Sequence, residues 1–256
     1  MKFTVLRWIF LGYCTGLILA NQWLPISVWL YVLPILGLLI LMIYGVVNIQ
    51  ANFFVEAIAE GKTNDKRIAL TFDDGPDEVI TPQVLAMLEK HQIPATFFLI
   101  GHKIQENQDI VAEIVAKGHL VGNHSFSHTV AFDFKSSSKV QQELRATQQQ
   151  IATIIGRKVR YFRPPFGITN PPIAKAVRQE KYKVIGWNVR PYDAVSTDEK
   201  IILKRIKKKL QPGSIVLLHD IKPLILNVLE DLIPYLKEQG YEVVPLDKLI
   251  QEDAYF

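Results

Sequence analysis

Hydrophobic positions fall into two regimes along the chain. Over the first fifty residues they are nearly continuous: Phe3 to Ala20 is apolar apart from Arg7 and a few small polar residues, and residues 26–47 carry no charge. A membrane-spanning helix needs about 20 apolar residues in a row. The second run meets that need, with Trp23 and Trp29 near its front edge as interfacial anchors. The first reads as a span, a signal-peptide core or an interfacial helix. If both span, the short connection makes a hairpin and returns the chain to the side of Met1. Lys2 and Arg7 precede the runs while Lys62, Lys66 and Arg67 follow them, so basic residues do not settle which side that is. The expected organisation is a membrane region of one or two helices over residues 1–50, a connector over 51–65 and a soluble domain over 66–250.

Beyond the connector the pattern becomes regular. Residues 67–72, 95–100, 119–122, 160–162, 184–189, 214–218 and 242–244 read as short strands rich in β-branched and aromatic residues. Between them, residues 81–91, 109–117, 139–155, 171–181, 197–210 and 222–239 carry apolar residues at helical spacing. Gly156, Pro212-Gly213 and Gly240 close helices, and Pro171-Pro172 open one at its first turn, where a missing N–H costs least. Strand–helix alternation predicts an α/β fold with a parallel sheet of about seven strands and helices outside. The sheet is either closed into a distorted (β/α) barrel or open and doubly wound. Both place chemistry just past the C-terminal ends of strands.

Composition changes this picture little. The 256 residues are 49% hydrophobic, enough for one sizeable domain with an appendage. A net charge of +4 suits lipid headgroups or an acidic polymer as neighbours; no nucleic-acid or protein partner is expected. The single cysteine, Cys14, lies within the first apolar run, which excludes an internal disulfide and a multi-cysteine zinc site.

Candidate chemistry follows the strands. The first ends in Thr71-Phe72-Asp73-Asp74-Gly75-Pro76, two adjacent carboxylates that are costly to bury unless paired or bound to a cation. Consecutive residues of an extended chain point apart, so one can bind metal while the other acts as base. His124-Ser125-Phe126-Ser127-His128 follows the third strand; read as a helical turn, its i, i+4 histidines share a face and can grip one ion. With a carboxylate they make a set that leaves positions open for water and substrate. Arg163-Pro164-Pro165-Phe166-Gly167 offers an arginine that could hold a carboxylate by two prongs, and Leu217-Leu218-His219-Asp220 places a histidine for proton donation. A phosphoacceptor aspartate is the rival reading of Asp73 or Asp74, but an oxygen-ligated magnesium site has no need of two histidines.

In this order and spacing, TFDDGP, HSFSH, RPPFG and the LLHD run resemble the polysaccharide deacetylases of carbohydrate esterase family four, the NodB-like deacetylases, over roughly residues 66–250. The resemblance implies a distorted (β/α) barrel and a divalent metal, usually Zn2+, with Co2+ or another transition metal as alternatives. It implies that Asp74, His124 and His128 hold the metal, that Asp73 is the base and that His219 is the acid for the departing amine. Arg163 would orient Asp73, and Asp193 would support the catalytic histidine or arginine. The backbone N–H of Phe166 would help stabilise the oxyanion, and Trp187 and Leu218 would enclose the acetyl methyl. The substrate implied is an N-acetylated polysaccharide or oligosaccharide, and a membrane-attached catalytic domain outside the cytoplasm is expected. The sequence departs from the family at Arg190, where an aspartate is common, at Ala194, where a tryptophan is common, and at Phe166, where tyrosine is commoner. These departures also allow a carbohydrate-binding protein whose catalysis has lapsed.

Overall fold

The computed structural model describes residues 3–256. Phe3–Ala20 forms α1 and Trp29–Val47 forms α2, joined by residues 21–28. The Tyr13 hydroxyl donates to Leu30 O at 2.9 Å and the Tyr31 hydroxyl to Leu17 O at 3.2 Å, which pins the two helices as an antiparallel hairpin. Both are long and apolar enough to cross a membrane. A core helix of a soluble protein would bury an apolar stripe. These bury only Leu6 and Gly45.

The foot of the hairpin is fastened to the rest of the chain. Phe3 N–H donates to Phe53 O at 3.0 Å, and Leu6, Phe53 and Phe54 are buried together with Ala174. Thr169 donates twice to the last turn of α2, from its N–H to Val46 O at 3.1 Å and from its hydroxyl to Gly45 O at 3.2 Å. Gln50 Nε2 donates to Trp187 O at 2.6 Å.

The expected alternation is present as β2 (Arg67–Asp73), α3 (Ile80–Lys90), β3 (Ala95–Leu99), α4 (Gly101–Ile104), α5 (Gln108–Ala116), β4 (Leu120–Asn123), α6 (Ser137–Ile155), β5 (Tyr161–Phe162), α7 (Pro171–Gln179), β6 (Lys183–Ile185), α8 (Glu199–Lys209), β7 (Ile215–His219), α9 (Leu224–Glu238), β8 (Glu242–Val243) and α10 (Leu246–Ile250). The connector also supplies a strand, β1 (Ala57–Ile58), which pairs in parallel with β6. The order is β1-β6-β5-β4-β3-β2-β7, all parallel, with β8 paired to the start of β2. Seven strands thus curl into a half-barrel. Residues such as Phe72, Phe97, Leu218 and Ile68 are wholly buried, as strands covered on both faces require.

The sixth strand is shorter than expected. After Ile185 its carbonyls turn to a side chain: Arg163 Nε donates to Ile185 O at 3.2 Å and Nη2 to Gly186 O at 3.0 Å. The chain rejoins the sheet only at Val189, which bridges to Val216 of β7.

Candidate active site

The register of the sheet sets the site. Asp73 ends β2 beside Phe98 on one neighbour and His219 on the other, while Asn123 ends β4, one residue before His124. Four strand ends therefore deliver Asp73, His124, Arg163 and His219 to one side of the sheet.

Asp73 is almost fully buried, and its Oδ1 accepts from Arg163 Nη1 at 2.6 Å. The two-pronged pairing expected for Arg163 does not form. Nη1 also donates to Thr71 Oγ1 at 2.9 Å, and Nε and Nη2 are taken by the carbonyls of residues 185 and 186. The fork spans two elements instead of one carboxylate, because Arg163 is itself buried and all its donors need partners. Asp73 keeps Oδ2 free of that pairing, 3.7 Å from His124 Nε2.

Asp74 turns the other way, from a left-handed backbone with φ 73°. Its Oδ1 lies 3.4 Å from His124 Nε2 and 3.2 Å from His128 Nε2. The histidines do not share a helical turn, contrary to the sequence expectation. Ser125 and His128 have φ of 64° and 46°, and residues 124–129 form an irregular loop. The loop is held from below. Asn123 Oδ1 accepts Ser125 N–H, its Nδ2 donates to Leu144 O and Tyr182 Oη, and Glu143 Oε2 accepts the N–H groups of Phe126 and Ser127. Burial would raise the Glu143 carboxyl, but Lys135 and Ser127 hold it below the usual range.

The donor set fits a divalent cation. One ligand atom each from Asp74, His124 and His128 lies within 4.8 Å of the others. His124 Nδ1 is 2.7 Å from Arg163 O, a carbonyl that only accepts, so Nδ1 carries the proton and Nε2 presents a lone pair. Burial lowers His128 to about 4, so His128 is neutral near pH 7. Asp74 Oδ1 is buried with no hydrogen-bond partner. Acceptors converging without a donor are what a cation resolves.

His219 sits across from this cluster. Its N–H and Nδ1 both meet Asp193, at 2.7 Å to Oδ2 and 3.1 Å to Oδ1. Burial would lower its pKa, but the Asp193 hydrogen bond and charge, with Asp73 and Asp74 behind them, push it up to about 9. Asp193 contacts His219, and no hydrogen bond or ion pair joins it to Arg163 among the described residues. Phe166 has φ 57°, in the left-handed region unusual for its type, and its ring lies 4.9 Å from that of His128. Gly167 follows with φ 74°, and a Cβ there would fall 2.4 Å from the Trp187 ring, so Trp187 closes onto this turn only because residue 167 is glycine. Trp187 and Leu218 are both buried beneath the site.

Asp220 had no role assigned from sequence. It is wholly buried, accepts from Thr81 Oγ1 at 2.5 Å and is raised to about 7, chiefly by burial. A Cβ on Gly75 would sit 2.6 Å from Asp220 Oδ2, so the Asp73–Pro76 turn rests directly on this carboxyl. The histidine–aspartate pair in LLHD was the available signal. His91, His102 and His119 take no part in the candidate metal cluster.

Comparison with known proteins defines the class. A family model described as polysaccharide deacetylase matches residues 60–185. The peptidoglycan-N-acetylmuramic acid deacetylase PdaA of Bacillus subtilis is 32% identical over 210 residues, covering 79% of this chain and 80% of that protein. The peptidoglycan-N-acetylglucosamine deacetylase PgdA of Listeria monocytogenes is 35% identical over 198 residues; the match spans 77% of this chain but only 41% of that longer protein. Among solved structures, the Bc1960 peptidoglycan N-acetylglucosamine deacetylase superposes with a TM-score of 0.72 at 28% identity, covering 77% of this chain and 93% of that one. BA3943 of Bacillus anthracis, a family-four pseudoenzyme, superposes at 0.70 with 32% identity, covering 76% and 68%. The chain belongs to the polysaccharide deacetylase family.

Proposed function

We propose that this chain is a membrane-anchored, metal-dependent hydrolase that removes N-linked acetyl groups from N-acetylated sugars of a cell-wall or exported polysaccharide. The observation that carries the reading is the convergence of Asp74, His124 and His128 beside an Arg163-held Asp73. The peptidoglycan deacetylases among the relatives support the substrate class. A divalent cation on the three ligands, zinc foremost, would supply Lewis acidity toward the amide carbonyl and a lowered pKa for water.

The chain's own residues do the rest. Asp73 takes the proton of the attacking water. His219 gives its proton to the amine nitrogen as the C–N bond breaks, leaving acetate and a free amino sugar. Arg163 and Asp193 orient base and acid respectively. The Phe166 N–H donates to the oxyanion, and Trp187 and Leu218 bound the acetyl methyl. The purified full chain in detergent should release acetate from N-acetylglucosamine oligomers, lose that activity on chelation and regain it with zinc or cobalt. Turnover unaffected by exhaustive chelation would end the metal assignment.

The acid role carries a pH signature. A His219 that must be protonated gives kcat/KM an alkaline limb set by its raised pKa, and Asp193→Asn should move that limb toward more acidic pH. For stability the sign is the same. A raised pKa stabilises fully below the ordinary histidine value, and that contribution fades as pH rises through about 9. An unmoved limb in Asp193→Asn would assign the acid elsewhere.

Arg190 and Ala194 favour a second reading, a carbohydrate-binding protein without turnover. Arg190 lies over the rings of Trp187 and Tyr192, at 5.2 and 5.0 Å, where the family commonly has an acid. The complete Asp73, Asp74, His124, His128 and His219 set weighs against it. Glycan binding without acetate release would decide for it.

A polymeric wall substrate goes with a catalytic domain outside the cytoplasm. One observation pulls the other way: the hairpin puts both its ends on the domain side, where Arg7, Lys62, Lys66 and Arg67 lie, while residues 21–28 are uncharged. On the cytoplasmic face the substrate would be a membrane-linked N-acetylated sugar precursor. Protease accessibility of the domain in intact cells separates the two.

A further inference from the structure

A few residues beyond the His124–His128 loop the chain carries exposed apolar side chains. The 3-10 turn Val130–Phe134, which starts two residues beyond His128, buries Phe132 completely. Val130 and Phe134, at the ends of the turn, are 67% and 86% exposed, and Phe166, whose ring lies 4.9 Å from that of His128, is 43% exposed. Burial of Phe132 anchors the turn, so its neighbours are held outward instead of folding in.

This rim is tied to the hairpin by a short chain of bonds. Asn170 Nδ2 donates to Asp133 O at 2.7 Å, in the middle of the turn. Thr169, the preceding residue, holds Gly45 O and Val46 O at the end of α2. Phe166 lies three residues before Thr169. Two hydrogen-bonded steps therefore separate the exposed apolar turn from the last turn of a helix whose apolar side chains are themselves uncovered, among them Tyr44 and Val47. Hydrogen bonds thus tie the exposed apolar turn to the foot of the hairpin.

We propose that Val130, Phe134 and Phe166 dock into the interfacial region of the bilayer in which the hairpin is anchored, so that the catalytic mouth opens at the membrane surface. The inference rests on the membrane-anchored reading and adds to it. A hairpin alone would tether the domain at any angle; the Thr169 and Gln50 contacts fix the angle, and the rim shows which face is turned down. The substrate is then a glycan within reach of the bilayer surface, such as a strand still attached to, or newly released from, a lipid carrier. Exposed aromatic and aliphatic groups gain from the interface through burial of apolar area, and Trp, Phe and Leu are the usual choices there.

The test uses the full chain with Cys14→Ser and one introduced cysteine at a time, labelled with an environment-sensitive nitrobenzoxadiazole and reconstituted in phosphatidylcholine–phosphatidylglycerol vesicles. Phe134→Cys and Val130→Cys place the label on the rim, Leu39→Cys places it in α2, and Lys90→Cys places it at the exposed far end of α3. Nitroxide carried near the lipid headgroups should quench the labels at 130 and 134 several-fold more than the label at 90, and deep nitroxide should quench the label at 39. Rim labels that behave like the one at 90 while 39 is quenched would overturn the docked rim and leave the anchor standing. A label at 39 that no lipid quencher reaches would remove the anchor, and the rim proposal with it.

Discussion

Asp73→Asn should reduce acetate release from N-acetylglucosamine oligomers by about 10²- to 10⁴-fold, the range for loss of a positioned general base. The physical reason is the division of labour between its oxygens. Oδ1 is occupied by Arg163 at 2.6 Å, while Oδ2 faces the His124 side of the cluster. An asparagine can still accept from Arg163, but it has no lone pair basic enough to take a proton from water. Cation binding should survive, because the three ligand atoms belong to Asp74, His124 and His128. Zinc stoichiometry and far-ultraviolet dichroism of the variant report on that separately. A variant that turns over at the parental rate would remove Asp73 from the chemistry and leave the site as a binding site.

The largest effect on stability is expected at Arg163. Its side chain is fully buried, joins β2, β5 and the end of β6, and compensates a carboxylate that is itself nearly inaccessible. Arg163→Met leaves Asp73 without its cation and two carbonyls without a donor. Breaking a buried pair from one side costs about 3–5 kcal/mol. In a domain of this size each kcal/mol lowers Tm by about 2–4 °C, so calorimetry should show a fall of roughly ten degrees. Arg163→Lys keeps the charge but cannot reach Thr71, Asp73 and both carbonyls at once, and should fall between the two. A loss below about 1 kcal/mol for the methionine variant would mean that the buried network contributes less than burial of this kind normally does.

Much of this was legible along the chain. Long apolar runs, broken by charge only at Arg7, marked α1 and α2, and the alternation of short β-rich and helical segments marked the parallel sheet, because both signals are local. The motif positions were legible for the same reason. A parallel α/β sheet delivers its chemistry at strand ends, so Asp73-Asp74, His124, Arg163 and His219 could be read from their places after apolar runs. What local pattern missed depended on partners far away in sequence. The strand at Ala57–Ile58 exists only because β6 is there to pair with it. The sixth strand stops early because Arg163 captures its carbonyls from twenty-two residues upstream. Spacing alone suggested a helical turn for His124 and His128, yet Asn123, Glu143 and two left-handed residues hold them in an open loop. The burial of Asp220 depends on Thr81 and Gly75, which approach it from more than a hundred residues upstream.

By itself, then, the order of residues determined which elements form, that two of them are apolar enough for lipid, and which side chains stand at the ends of strands; each depends on periodicity and neighbours a few positions apart. Only the tertiary structure decided that Asp73 and Asp74 face different partners, that His124 must present Nε2, and that an exposed apolar turn is bonded to the foot of the hairpin. Those are facts about atoms brought together from distant parts of the chain, and hydrogen-bond direction, burial and register come into being only when the sheet closes around them.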